Sequence, residues 1–131
     1  MQLSMNARSD DAAGSPIDRE CLAEMWEDAG PALFRRMAEL FERERDNHVA
    51  RLRAALHADD RIGLAFEAHG LKSAAAYVCA EALRAAAARL ERQAECAEPV
   101  ELTDLVTLIA MQADLAGAAL GEAIARQSSV S

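Results

Sequence analysis

The side chains in this 131-residue chain best placed to do chemistry are His69 and Lys72, three positions apart in Ala68-His69-Gly70-Leu71-Lys72-Ser73-Ala74-Ala75-Ala76-Tyr77-Val78-Cys79. A neutral imidazole near its ordinary pKa offers an unprotonated nitrogen at pH 7 and so serves as a nucleophile. On a helix the i+3 lysine shares its patch of surface and reaches any negative charge placed on the ring. Leu64, Ala68, Leu71, Ala75 and Val78 recur at helical spacing and form the core stripe of that helix. His69 then lies roughly 140° from the middle of the stripe and points outward. Ala65, Ser73 and Ala76 are its outer neighbours, and Ile62 and Phe66 lie one to two turns before it. An exposed nucleophile ringed by small and apolar side chains marks a docking surface with one reactive group at its centre. Ile62, Ala65, Phe66, Ser73 and Ala76 are therefore the expected partner-binding residues.

The rest of the chain must hold that helix in place. Its composition is 52% hydrophobic but only 4% aromatic, with 6 glycines and 3 prolines, which favours helices. The length suits one domain with a modest core. Residues 1–16 are polar with little periodicity and read as a disordered tail. A first short helix opens near Asp18, an N-cap residue, with Ile17 and Leu22 at the two positions of a hydrophobic staple. Asp28-Ala29-Gly30-Pro31 breaks it. A second helix is expected over Pro31 to Leu56, and the histidine helix over about Asp60 to Val78. A fourth is expected over about Ala80 to Ala97, and a fifth over about Val100 to Ala125. Residues 127–131 read as a frayed end. The expected fold is all-α: four long helices in an antiparallel up-and-down bundle, with the short first helix capping one end.

Charge and composition exclude several classes. A net charge of −8 opposes binding to a nucleic-acid backbone. No apolar run approaches the length expected of a membrane span, and residues 1–15 lack the apolar centre of a signal peptide. Cys21, Cys79 and Cys96 are odd in number and share no metal-like spacing, so three reduced thiols are expected. His48 sits among polar neighbours and His57 near a helix C-terminus, where structural roles suffice. Trp26 and Tyr77 are expected to pack. The run Glu42-Arg43-Glu44-Arg45-Asp46 reads as a solvated helix face.

The stretch from Ala68 to Ser73, followed by Val78-Cys79-Ala80, Leu83 and Leu90-Glu91, resembles the histidine-containing phosphotransfer domain of bacterial multistep phosphorelays. Leu40-Phe41, Leu52, Leu56 and Asp60 upstream fit the same pattern, so the resemblance covers about residues 17–126. Ser73 stands where glycine is commonest, although serine is also usual. Cys79 stands where the family generally has glycine, so a looser or differently shaped turn is expected there.

The resemblance implies that His69 carries a phosphoryl group on Nε2 and that Lys72 stabilises it. The implied partners are response-regulator receiver domains and a hybrid sensor histidine kinase. The receiver would supply Mg²⁺ and most of the catalysis, leaving this chain a carrier without a cofactor or enzymatic activity of its own. A cytoplasmic monomer without nucleic-acid or membrane partners is expected. Two other classes compete. A histidine-kinase dimerisation domain also uses an exposed helical histidine, but it usually follows that histidine with an acidic residue, where this chain has Gly70. In a helical adaptor, His69 would be incidental.

Overall fold

A computed structural model describes residues 15–130, with side chains described through residue 127. Of the tail expected at residues 1–16, residues 1–14 lie outside the described residues. Five helices make up the structure, with no strand among the described residues: α1 (Arg19–Ala29), α2 (Pro31–His57), α3 (Arg61–Tyr77), α4 (Glu81–Gln93) and α5 (Pro99–Val130). Local chemistry sets most of the boundaries. The Asp18 carboxylate accepts from the backbone N–H groups of Glu20 and Cys21 at 3.1 and 3.2 Å, capping α1. Gly30 ends α1 at φ 89°, and Pro31 opens α2 at the first turn, where no N–H is needed. The Asp60 side chain accepts from Gly63 N–H at 2.8 Å and caps α3.

The long helices pack in sequence, α2 on α3, α3 on α4 and α4 on α5, and α5 returns to α2. The core between them holds Phe34, Leu52, Leu64, Leu71, Leu83, Leu90, Leu102 and Ile109, all essentially inaccessible to water. Ala68, Ala75, Ala87, Ala94, Ala113 and Ala116 are fully buried among them. With only a methyl group to place between backbones, these alanines let neighbouring helices approach closely. Trp26 packs half-buried on Phe34, ring centroids 6.0 Å apart, with the Arg35 guanidinium over its face.

Four expectations are corrected. The fourth helix stops at Gln93, short of Ala97, because the Arg61 guanidinium accepts the role of partner to the chain beyond it. Arg61 donates to the carbonyls of Ala94 and Ala97 at 3.3 and 2.7 Å, holding an irregular turn that leads to Pro99. The thiols are not all reduced: Cys21 and Cys79 form a disulfide, with Cα atoms 5.8 Å apart, while Cys96 is free and exposed. These two cysteines are 58 residues apart in sequence, and only the seating of α1 over the end of α3 brings them together.

The turn after α3 is not loosened by Cys79. Ala80 N–H donates to Ala75 C=O at 3.0 Å and Cys79 N–H to Ala76 C=O at 3.3 Å, the paired closure of a Schellman motif. Cys79 holds the left-handed conformation at φ 58° that glycine usually takes there. Finally, the Pro99–Gln127 segment of α5 is long and apolar enough, by length and composition, to cross a membrane, with mean hydropathy 1.3. One stripe of it, including Leu102, Leu105, Val106 and Ile109, is bundle core, which accounts for the third of its most apolar window that is buried.

Candidate functional site

His69 stands near the middle of α3, which is pinned on both flanks. Ala68, Leu71 and Ala75 bury its inner face, and Leu83, Ala87 and Leu90 bury the facing side of α4. On the other flank Arg51 of α2 donates to Glu67 of α3 at 2.9 Å and lies 3.3 Å from His48 Nδ1. His48 is half-buried, and its pKa is lowered by burial first and then by the Arg51 charge, against the attraction of Glu67 and Glu44.

The imidazole of His69 points outward, its side chain 62% exposed. Its Nδ1 lies 2.9 Å from Glu91 Oε2, and Lys72 Nζ lies 2.7 Å from Glu91 Oε1. One carboxylate on α4 thus bridges two groups on α3. The hydrogen bond from Lys72 is the main reason the Glu91 carboxyl is held below its usual pKa; desolvation opposes it, and the hydrogen bond from His69 and the charges of both partners reinforce it. It is therefore ionised at neutral pH and accepts only. Nδ1 must be the donor, which leaves Nε2 with the lone pair in the neutral ring. Gly70 adds no bulk beside the ring, and a Cβ there would meet nothing within 4 Å.

Each residue singled out in the sequence has a definite place. His69 and Lys72 are brought together, but through Glu91. Ile62 and Phe66 are largely solvent-exposed at 79% and 75%, and Ser73 and Ala76 are also exposed. Ala65 differs, being half-buried and packed against the core. Tyr77 was expected to pack and instead is exposed. It lines an apolar groove of about 320 Å³ with Met37, Leu40, Phe41 and Ala74, edged by Glu44 and His48. Glu91 is the residue that site reasoning missed. It lies 22 positions beyond His69, so no helical spacing connects the two, and the Leu90-Glu91 pair was the available signal.

The fold and the site define an all-helical protein that presents an exposed histidine, hydrogen-bonded from a neighbouring helix, on a surface of small and apolar residues. The family model for the Hpt domain matches residues 36–124, more than half of the chain and including both α3 and α4. The chain belongs to the Hpt domain family, and with it to the phosphotransfer carriers of phosphorelays. No significant match emerged among curated proteins or among solved structures.

Proposed function

We propose that the chain is a phosphohistidine carrier, exchanging a phosphoryl group between His69 Nε2 and the aspartate of response-regulator receiver domains, with a hybrid sensor histidine kinase as the upstream source. The observation that carries this is the Nδ1–Glu91 hydrogen bond, at 2.9 Å, on an exposed histidine in an Hpt domain. Nε2 attacks phosphorus, the bond from phosphorus to the aspartyl oxygen breaks, and the aspartate leaves as carboxylate. The ring keeps its Nδ1 proton and becomes cationic as the new P–N bond forms. Glu91 opposes that charge, and Lys72 faces the incoming phosphoryl oxygens. Reverse transfer uses the same groups.

Phosphoryl transfer depends on positioning and charge neutralisation. His69, Lys72 and Glu91 supply part of that, and the receiver would bring Mg²⁺ and the remaining machinery. Ile62, Ala65, Phe66, Ser73 and Ala76 form the centre of the receiver interface in this reading, supported by the exposure of the two large apolar side chains. The phosphotransfer domain spans residues 17–126 in this reading, and α5 continues beyond it as helix to Val130 rather than as a frayed end. Its four long helices form an antiparallel up-and-down bundle capped by α1, working as a cytoplasmic monomer.

The test is incubation with a phosphorylated receiver at neutral pH, comparing the natural chain with His69→Gln. Acceptance should be abolished in the variant while the thermal melt stays in place, because the side chain faces solvent. Labelling that persists in His69→Gln would overturn the assignment.

A further inference from the structure

We propose that Cys21 and Cys79 form a thiol–disulfide exchange site for low-molecular-weight thiols, and that the state of this bond governs how firmly α1 is held on the end of the His69-bearing helix.

Cys79 occupies the one position of the Schellman turn that requires positive φ, at 58°. Glycine adopts this conformation freely, whereas a residue with a Cβ adopts it under strain. What cysteine contributes there is the bond to Cys21, across 58 residues of chain. Apart from that bond, α1 is held mainly on α2, where Trp26 packs on Phe34 beneath the Arg35 guanidinium, and little else ties it to the end of α3. Leu22 is its one buried residue among those described, Met25 and Trp26 are half-buried, and Ile17 is buried just before it. Asp18 N–H adds a single backbone hydrogen bond to Cys79 C=O at 2.8 Å. An isolated helix of 11 residues is marginal in water, so its order depends on what ties it down.

The two sulfurs are unequally placed for attack. Cys79 is 4% exposed, whereas Cys21 is partly open to solvent. An incoming thiolate attacks the Cys21 sulfur, the disulfide breaks, and Cys79 leaves as thiolate. A second thiolate then attacks the sulfur of the attached small thiol, releasing Cys21 as thiolate. Two small thiols are oxidised to their disulfide as the protein bond is reduced to two thiols. Cys96 does not compete as an internal partner. It lies beyond the far end of α4, whose 13 residues span about 20 Å, well past the reach of a disulfide. The expectation that the bond cycles rests on the cytoplasmic setting proposed above, where protein disulfides are characteristically transient. His69 lies ten residues before Cys79, about 15 Å along the helix, so its network with Glu91 and Lys72 is untouched by the exchange.

The test uses the full chain carrying Cys96→Ser and needs no phosphotransfer, so its failure is distinct from failure of the carrier assignment. The protein is equilibrated at neutral pH in glutathione buffers ranging from mostly oxidised to strongly reducing. After an acid quench, free thiols are counted by alkylation and intact mass, and amide exchange is read across α1 and α3. The population should pass from disulfide to dithiol across that series, with exchange in Arg19–Ala29 faster by about tenfold or more in the dithiol form and α3 unchanged. Cys79→Gly should remain folded, and its α1 should exchange like that of the dithiol. A disulfide that resists strongly reducing buffer, or thiols that never pair in the oxidised one, would overturn exchange. Equal α1 protection in both states, or full protection in Cys79→Gly, would overturn control of α1 by the bond.

Discussion

Replacing Glu91 with glutamine removes a charge while keeping the shape of the side chain, and so isolates what the carboxylate does for His69. In the natural chain two oxygens serve two cationic or donor groups, Nδ1 at 2.9 Å and Nζ at 2.7 Å. Glutamine retains one acceptor oxygen, so it serves either the ring or the lysine but not both. The ring also loses the anion that opposes its positive charge as the P–N bond forms. The surroundings bound the size of the effect. The His69 side chain is 62% exposed and that of Glu91 29%, so water screens much of the interaction. A slowing of phosphoryl acceptance on the order of threefold to tenfold follows, far from the thousandfold losses of an enclosed catalytic group.

The assay is single-turnover transfer from a phosphorylated receiver at pH 7, beside nitrogen NMR of the imidazole. The ring should shift from nearly pure Nδ1–H tautomer toward a mixture. An unchanged tautomer and unchanged rate would refute the positioning role. A loss beyond about a hundredfold would mean that Glu91 takes part in the chemistry itself.

Three further outcomes are expected. Lys72→Ala should shorten the lifetime of the phosphorylated form by about fivefold, since its ammonium is part of a half-buried pair that water still partly screens, and an unchanged lifetime would remove it from the site. Ser73→Trp should melt like the natural chain yet block transfer from every receiver, because it sets an indole beside His69 on the solvent side; normal transfer would place docking elsewhere. His48 binds a proton less readily in the folded chain than its ordinary value of 6.5 implies. Between the lowered folded value and 6.5 the unfolded chain holds more protons, so stability rises with pH through that window. Urea unfolding at a series of pH values should show that slope flattened in His48→Asn, and an identical slope would contradict it.

The helices were legible wherever the determining chemistry is local. Asp18, Pro31 and Asp60 act within three residues of themselves, and the Leu64–Val78 stripe needs only the period of one helix. What the sequence did not reveal lies between helices. Glu91 meets His69 only once α4 has packed on α3, and Cys21 meets Cys79 only once α1 has folded over the turn. The early end of the fourth helix had the same origin, because Ala94 to Ala97 is alanine-rich and locally compatible with helix. The Arg61 guanidinium, 33 and 36 residues upstream, decides otherwise. Tyr77 was misjudged because an aromatic near a helix end satisfies a core and a groove rim equally well.

The three residues between α3 and α4 and the Arg61 clamp at the opposite end of the pair together act as a vernier. Val78 to Ala80 fixes where α4 starts, and Arg61 fixes where the chain leaving α4 must sit. Glu91 is brought level with His69 and Lys72 only at one setting of that scale. One residue inserted in the connector would turn α4 by about 100°, carrying the carboxylate away from both partners and Leu83 and Leu90 out of the core. The length of a turn that touches no phosphoryl group is thus as much a determinant of the histidine's chemistry as the residues beside it.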